Sequence, residues 1–285
     1  MTPPPPSDIA FVLGGGGALG ACEVGMLQGL VEAGIRPGLV LGTSIGAVNG
    51  GMFAADPTAA GVERLSSLWR SPDAAAGLAD SVLRQVGTFA RTRTHLQPLG
   101  PLRDRLREAL GVERFEDLAV RFQCVAASIE RAAEHWFSEG PLVDPILASS
   151  AVPGVLPAVR IGEEHFIDGG IVNSIPVSRA VALGAREVYV LQVGRLERPL
   201  RAPRWPWEVG LVAFEVARRH RFTTDLENLP GDVRVHVLPT GGTGAPAFND
   251  IPAQLRTRLP TRVGEQIEAA REATAAYLRE RTASP

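Results

Sequence analysis

Short apolar runs alternate with longer stretches of helical patterning, and this alternation predicts strands and helices in turn. The first run, Ile9–Leu13, is continuously apolar, as expected of a parallel strand that is buried on both faces of a sheet. A helix over Ala18–Ala33, a strand at Leu39–Leu41 and a helix at Ile45–Ala55 are predicted next. This order of elements is typical of the start of a doubly wound α/β sheet.

The rest of the chain continues the alternation, apart from one helical interruption. Further strands are predicted at Phe122–Ala127, His135–Phe137, His165–Ile167, Glu187–Val193 and Val233–Leu238. Further helices are predicted at Ala59–Trp69, Ala74–Arg91, Leu102–Leu110, Val143–Ser149, Val177–Leu183 and Gly264–Arg281. The helices between about 57 and 118 follow one another without a strand, which indicates a helical insertion. We expect a single domain over 9–285 after a flexible, proline-rich segment at 1–8, with core motifs in 9–193 and a C-terminal extension from about 194 to 285.

The composition excludes several function classes. Of the 285 residues, 45% are hydrophobic and 21% are charged, which favours a folded core over a disordered chain. The net charge is −2, so no basic field indicates a nucleic-acid partner. All 29 basic residues are arginine, which excludes a Schiff-base lysine, a P-loop lysine and a Ser-Lys dyad.

The cysteines, the histidines and the lengths of the apolar runs exclude further kinds of site and of protein. Cys22 and Cys124 are too few for a disulfide scaffold or a cysteine-rich zinc site, and the 5 histidines show no pair at metal-ligand spacing. We therefore expect no metal. The N-terminus lacks a positively charged leader, and no run approaches the roughly 18 apolar residues that span a bilayer. These features predict a cytoplasmic protein.

A glycine loop, GGGGALG at residues 14–20, lies between the first strand and the first helix. Backbone N–H groups in such a loop can bind an anion, helped by the helix N-terminus. Gly15, Gly17 and Gly20 also match G-x-G-x-x-G, but a dinucleotide site needs an acidic residue at the end of the next strand. That strand runs instead into Gly-Thr-Ser at 42–44, which disfavours the dinucleotide hypothesis. A turn that serves only tight packing is the structural alternative.

The second motif, GTSIG, places Ser44 between a predicted strand and a predicted helix. This context is that of a nucleophile elbow, in which Gly42 and Gly46 give room for a strained turn. The competing interpretation is that Ser44 caps the helix N-terminus. Because the carboxyl ends of neighbouring parallel strands meet at one edge, the glycine loop would lie beside the hydroxyl and provide an oxyanion hole.

A serine nucleophile needs a base, and the sequence offers three candidates. His220 lies in a helical stretch and His236 lies in a strand, where an ordinary structural role is expected for each. Asp168 follows a short strand and precedes two glycines, which places a carboxylate on a loop with backbone free to approach it. A simple Asp-Gly turn is the alternative for Asp168.

The glycine loop, G-x-S-x-G and D-G-G, in this order, resemble the patatin-like phospholipase family. The passages 138–159 and 168–185 also look like those around the family's catalytic aspartate, and the resemblance covers 9–55 and 121–193. It implies a three-layer α/β/α fold with a mostly parallel central sheet.

The resemblance also implies a serine–aspartate dyad, with Ser44 as the nucleophile and Asp168 as the proton acceptor. It implies an oxyanion hole formed by the backbone N–H groups of Gly15, Gly16, Gly17 and Ile45. The remaining motif glycines are Gly20, Gly42, Gly46, Gly169 and Gly170. The implied reaction is hydrolysis of acyl esters of phospholipids or other lipids through an acyl-Ser44 intermediate, with no cofactor. We expect burial to raise the pKa of Asp168, because a carboxylate of ordinary pKa is a weak base.

The sequence departs from the family pattern at Leu19, where the glycine loop usually carries arginine or lysine. A neutral lipid or a simple acyl ester therefore fits as well as an anionic one. An acyltransferase using the same dyad, a catalytically silent lipid- or protein-binding module and a conventional Ser-His-Asp esterase stay open.

Peripheral membrane contact is a further hypothesis, based on Trp205, Trp207 and the stretch 208–222. Aromatic and apolar residues lie there beside arginines, a mixture that suits an interfacial helix. A helix that packs on the sheet with a solvated basic end explains the same pattern. The sequence carries no signal of oligomeric state.

Overall fold

The computed structural model describes residues 8–71, 98–193, 199–242 and 260–283. The strands are β1 Ile9–Leu13, β2 Leu39–Thr43, β3 Arg121–Ser128, β4 Ala133–Phe137, β5 Val159–Ile161, β6 Glu164–Asp168, β7 Glu187–Leu191 and β8 Arg234–Val237. The helices are α1 Ala21–Glu32, α2 Ile45–Ala55, α3 Ala59–Arg70, α4 Gly100–Leu110, α5 Val143–Ser149, α6 Gly170–Asn173, α7 Val177–Ala182, α8 Pro206–Glu227 and α9 Pro260–Ala283.

One mixed sheet contains all of these strands, in the order β5-β6-β3-β2-β1-β7-β8, with β4 paired to β3. Strands β8, β7, β1, β2 and β3 run parallel, whereas β4 and β6 run antiparallel to β3, and β5 runs antiparallel to β6. The prediction of a mostly parallel α/β sheet is confirmed.

Helices cover the sheet on both faces, as the alternation of side chains along β1 shows. Phe11 and Leu13 lie in a core shared with α1, α2, α3, α5 and α9. Ala10 and Val12 point to the other face, where they pack with residues of α7 and α8. Successive residues of a strand face opposite sides, so a strand covered on both faces is apolar throughout. The predicted three-layer α/β/α arrangement is confirmed.

The C-terminal helix belongs to the first of these layers because two glycines of α1 let it approach closely. A methyl group on Gly25 would lie 2.0 Å from the carbonyl oxygen of Ile267, and one on Gly29 would lie 2.9 Å from Cβ of Thr274. Ile267 is fully buried in this contact, and burial of such a side chain contributes about 1.5–3 kcal/mol. Helix α9 therefore forms part of the core.

The structure differs from the predicted elements in three places. The loop at Gly17–Gly20 forms a short 3-10 turn before α1, so the first helix begins later than predicted. Strand β5 and helix α6 were not predicted, because each spans only 3 or 4 residues and carries no periodic signal. The predicted helix Ala74–Arg91 lies outside the described residues. None of the described helices combines the length and apolar character needed to cross a membrane.

Candidate active site

Ser44 occupies a strained turn between β2 and α2. Its backbone has φ 56° and ψ −124°, a conformation that costs a non-glycine residue about 1–3 kcal/mol. The flanking glycines are required by close contacts: a methyl group on Gly42 would lie 2.5 Å from the carbonyl oxygen of Gly46, and one on Gly46 would lie 2.3 Å from that of Leu13. The Ser44 side chain makes no capping hydrogen bond to α2, so the helix-cap interpretation is wrong.

Two serines at the C-terminal end of α5 hold the backbone of this turn. The N–H of Ser44 donates to Oγ of Ser149 at 3.0 Å, and the hydroxyl of Ser150 donates to the carbonyl oxygen of Ser44 at 2.9 Å. Ser149 is fully buried. Such fixed hydrogen bonds offset the strain of the turn. The sequence analysis missed both residues, since serines at the end of a helix carry no distinctive signal.

The register of the sheet brings Asp168 to Ser44. Thr43 pairs with Val125 on β3, and the next residue of β3, Ala126, pairs with Asp168 on β6. The Ser44 hydroxyl donates to Oδ2 of Asp168 at 2.6 Å. A methyl group on Gly169 would lie only 2.1 Å from the carbonyl oxygen of Val125, so glycine is needed for this approach.

Asp168 is held at both carboxylate oxygens in a buried position. Its Oδ1 accepts from the N–H of Gly170 at 2.7 Å, and only 3% of the residue is exposed. Burial raises the pKa of Asp168 to about 6, against the lowering effect of the hydrogen bonds from Ser44 and Gly170. The expectation of a raised pKa is confirmed. A carboxylate with this pKa is a better proton acceptor than an exposed one and is still ionised at neutral pH.

The glycine loop lies directly against the serine. A methyl group on Gly15 would lie 3.4 Å from Cβ of Ser44. The N–H of Gly15 already donates to the carbonyl oxygen of Ser174 at 3.1 Å. By contrast, in the part of the chain that the structure describes, the N–H groups of Gly16, Gly17 and Ile45 have no hydrogen-bond acceptor.

The conformation of the loop depends on its glycines. A methyl group on Gly16 would lie 1.7 Å from Cγ2 of Val193, and Gly17 has φ 57°. Leu19, at the position where the family pattern has a cation, is half-buried and packs against the hydrophobic core.

A buried polar network anchors the far end of this loop. Asn49 Nδ2 donates to the carbonyl oxygen of Gly20 at 3.0 Å and to Oε2 of Glu23 at 2.8 Å, while Nε1 of Trp69 donates to Oδ1 of Asn49 at 2.9 Å. Burial raises the pKa of Glu23 well above its ordinary value, against the lowering effect of the hydrogen bond from Asn49. The network fixes Gly20 against α2, where a methyl group would lie 2.5 Å from Cγ1 of Ile45.

The histidines considered as bases have other surroundings. His220 is exposed on α8. His236 is fully buried and is hydrogen-bonded through Nε2 to Glu187 at 3.1 Å and through Nδ1 to Tyr277 at 3.3 Å. The Ser44 hydroxyl donates to a carboxylate and not to an imidazole, so the geometry does not support a Ser-His-Asp arrangement.

Comparison with known proteins identifies one family. The family model described as patatin-like phospholipase matches residues 11–181. A patatin-like phospholipase domain-containing protein of Caenorhabditis elegans is 34% identical over 66% of this chain and 14% of its own length. Lysophospholipase NTE1 of Candida glabrata is 30% identical over 66% of this chain and 11% of its own. Patatin-like phospholipase domain-containing protein 6 of Mus musculus is 31% identical over 65% of this chain and 13% of its own.

The chain thus spans less than a sixth of the length of these relatives. The family model nevertheless covers more than half of the chain, including the glycine loop, the serine turn and the D-G-G motif. These matched residues are the ones that form the site around Ser44. The chain therefore belongs to the patatin-like phospholipase family.

Proposed function

We propose that this protein hydrolyses acyl esters of phospholipids, lysophospholipids or related lipids, with Ser44 as the nucleophile and Asp168 as the general base. The observation that carries the proposal is the 2.6 Å hydrogen bond from a strained serine to a buried aspartate whose pKa is raised to about 6. Family membership supports a lipid ester as substrate, and the relatives named phospholipase and lysophospholipase support a glycerophospholipid in particular.

In the first half of the reaction, Oγ of Ser44 attacks the ester carbonyl carbon while Oδ2 of Asp168 accepts the hydroxyl proton. The carbonyl oxygen becomes an oxyanion, which the N–H groups of Gly16, Gly17 and Ile45 bind. We leave Gly15 out of this set because its N–H donates to Ser174. One oxyanion-hole donor is typically worth about 2.7–4 kcal/mol of transition-state stabilisation.

Collapse of the tetrahedral intermediate breaks the ester bond, and the protonated Asp168 gives its proton to the departing alcohol. A water molecule then loses a proton to Asp168 and attacks the acyl-Ser44 ester. The released serine hydroxyl recovers its proton from Asp168, which restores the starting state. One carboxyl group thus acts as base and acid in each half of the cycle.

The predicted cytoplasmic location and peripheral membrane contact form part of this proposal. Trp205, Val209 and Val216, at the start and along α8, are exposed, which supports contact with a lipid surface. The side chain of Trp207 lies outside the described residues.

The test is covalent labelling with a fluorophosphonate followed by intact-mass measurement. We expect one adduct on the wild type and none on Ser44→Ala. The matched control is Ser178→Ala, because the Ser178 hydroxyl also donates to an aspartate, at 2.7 Å to Asp225. This control should be labelled like the wild type.

Absence of any adduct on the wild type would overturn the hydrolase proposal and favour a catalytically silent binding module. After labelling succeeds, product analysis with a lysophospholipid in water and with an added alcohol separates hydrolysis from acyl transfer. Free fatty acid as the main product in both cases supports the hydrolase, and a new ester as the main product supports the acyltransferase.

A further inference from the structure

Arg218 on α8 is a buried cation whose hydrogen bonds lead to the glycine loop. Only 5% of the residue is exposed. Its Nε donates to Oγ of Ser174 at 2.9 Å, and its Nη1 donates to Glu215 at 3.1 Å. The remaining nitrogen, Nη2, is buried and has no hydrogen-bond partner in the described part of the chain. A buried guanidinium with an unused donor is costly, so it is expected where its charge has a role.

Ser174 connects this guanidinium to the glycine loop through its two oxygens. The side-chain Oγ accepts from Arg218, and the main-chain carbonyl oxygen accepts from the N–H of Gly15 at 3.1 Å. A methyl group on Gly15 would lie 3.2 Å from Oγ of Ser174 and 3.4 Å from Cβ of Ser44. Gly15 is therefore enclosed between the serine held by Arg218 and the serine of the strained turn.

Few charged groups of the described residues lie around Arg218, and its ionic partner is shared with a second arginine. Glu215 is its ionic partner, but Glu215 also pairs with Arg219 at 2.9 Å. The buried Glu23 also interacts with Arg218: burial raises the pKa of its carboxyl, and the charge of Arg218 acts in the opposite direction. The glycine loop itself, residues 14–20, contains only glycine, alanine and leucine, so it carries no charge of its own. Through Ser174, Arg218 places a buried positive charge on the side of the glycine loop that carries Gly15.

We propose that Arg218 is a positioning residue for the oxyanion loop: it orients Ser174, which fixes Gly15 and with it the N–H groups of Gly16 and Gly17. This inference rests on the proposed function. It assigns a role to α8, which lies outside the segment 11–181 matched by the family model. Displacement of a loop of this kind by about 1 Å can lower the rate of reaction about 100-fold.

The test is a mutant cycle with a neutral, water-soluble p-nitrophenyl ester and with the fluorophosphonate. The variants are Arg218→Met, Arg218→Lys, Ser174→Ala and the double variant Arg218→Met/Ser174→Ala. We expect Arg218→Met to lower kcat about 10- to 100-fold and to change KM less than about twofold, since the loop contributes mainly in the transition state. Arg218→Lys should restore part of kcat by keeping the charge and one hydrogen bond.

The double variant distinguishes a linked pair from two separate effects. If Arg218 acts through Ser174, Arg218→Met should lower kcat much less in the Ser174→Ala background than in the wild type. The matched control is Arg219→Met, which removes the neighbouring partner of Glu215 without touching Ser174, and it should keep kcat within about twofold. Arg219 still pairs with Glu215 in Arg218→Met, so that variant does not bury an unpaired carboxylate.

Several outcomes would overturn the inference. These are additive effects in the double variant, equal effects of Arg218→Met and Arg219→Met, or a change in KM alone. If thermal unfolding shows that Arg218→Met does not fold, the Ser174→Ala variant tests the inference instead. An unchanged kcat in Ser174→Ala would reject the positioning role of Arg218. If the wild-type protein is not labelled at Ser44, the proposed function itself is rejected. If the wild type is labelled and the Arg218 variants keep the wild-type kcat, only the role of Arg218 is rejected.

Discussion

Ser44 and Ser178 each donate a hydrogen bond to an aspartate, at 2.6 Å to Asp168 and at 2.7 Å to Asp225. The surroundings of the two pairs differ. Ser178 lies within helix α7, and Asp225 also accepts from the guanidinium of Arg221 at 3.2 Å. Ser44 lies in a strained turn, and burial opposes the charge of Asp168, which has no cationic partner among the residues that the structure describes.

The comparison shows that similar Ser–Asp hydrogen bonds occur in very different surroundings in this fold. Near Ser44 the structure combines three features: a positive φ in the turn between β2 and α2, a base whose pKa burial raises to about 6, and backbone N–H groups without an acceptor among the described residues. Each feature corresponds to a requirement of nucleophilic catalysis, namely a fixed position of the nucleophile, proton transfer and oxyanion binding. Each can be removed separately.

The largest effect is expected from changing the two aspartates to asparagine. Asp168→Asn keeps the size of the side chain but removes the base, so the rate of fluorophosphonate labelling should fall about 100- to 10,000-fold. Asp225→Asn, the matched change in the other pair, should leave the labelling rate within about twofold. Pseudo-first-order labelling kinetics followed by intact mass measures both. Equal losses in the two variants would contradict the distinction between the pairs.

The strained turn is tested by adding one methyl group. Gly46→Ala would place Cβ 2.3 Å from the carbonyl oxygen of Leu13, so β1 and the turn must move apart. We expect the free energy of unfolding to fall by about 1–3 kcal/mol and labelling of Ser44 to fall with it. Denaturant unfolding and labelling of the same samples measure the two effects.

The control for this change is Gly264→Ala in helix α9. Outside the neighbouring backbone of its own helix, no atom of the described residues lies within 4 Å of the added methyl group there, and alanine favours a helix over glycine by up to about 1 kcal/mol. This variant should be as stable as the wild type or more stable, with normal labelling. A Gly46→Ala protein that labels at the wild-type rate would show that the turn does not need its observed geometry.

Some residues of the candidate site could be predicted from the sequence, and others could not. Ser44 and Asp168 could be located because glycines mark the positions where the backbone approaches closely, as at Gly46 and Gly169. The partners that hold the site could not be found in this way. Ser149, Ser174 and Arg218 are ordinary residue types in ordinary helical or loop contexts, and their contacts join positions between 44 and 105 residues apart.

The strands of the sheet likewise include some that the sequence predicts and some that it does not. The parallel strands were predicted because burial on both faces gives continuous apolar runs, as in Ile9–Leu13. The three-residue strand Val159–Ile161 was not, because it pairs with β6 through backbone hydrogen bonds that any side chains allow. The extension of β2 to Thr43 was also not predicted, because the last two residues of this strand are a glycine and a threonine.

The base is tested by the pH dependence of the rate. Since Asp168 must be ionised to accept the proton, and its pKa is about 6, kcat/KM should rise tenfold for each pH unit below about 6 and level off above it. A neutral p-nitrophenyl ester keeps the substrate from titrating in this range. Asp225→Asn should show the same profile as the wild type. A rate that is independent of pH between 4.5 and 7 would contradict the role of Asp168 as base.

The titration of Asp168 also affects stability. The folded-state pKa of Asp168, about 6, lies above its ordinary value of 3.8, so between these values the native state binds the proton more tightly than the unfolded chain. The free energy of unfolding contributed by this group is therefore greatest at low pH and falls as pH rises toward 6, by up to about 3 kcal/mol. Asp168→Asn does not titrate, so its stability relative to the wild type should increase from pH 4 to pH 7.

The control variant for this measurement is Ser44→Ala, which keeps the aspartate but removes a hydrogen bond that lowers its pKa. Because the pKa of Asp168 should then rise further, the loss of stability with increasing pH should extend to higher pH than in the wild type. Denaturant unfolding at several pH values measures all three proteins. Parallel stability curves for wild type and Asp168→Asn would show that the buried carboxylate carries no cost at neutral pH. The surroundings of Asp168 would then resemble those of Asp225 more closely than the structure indicates.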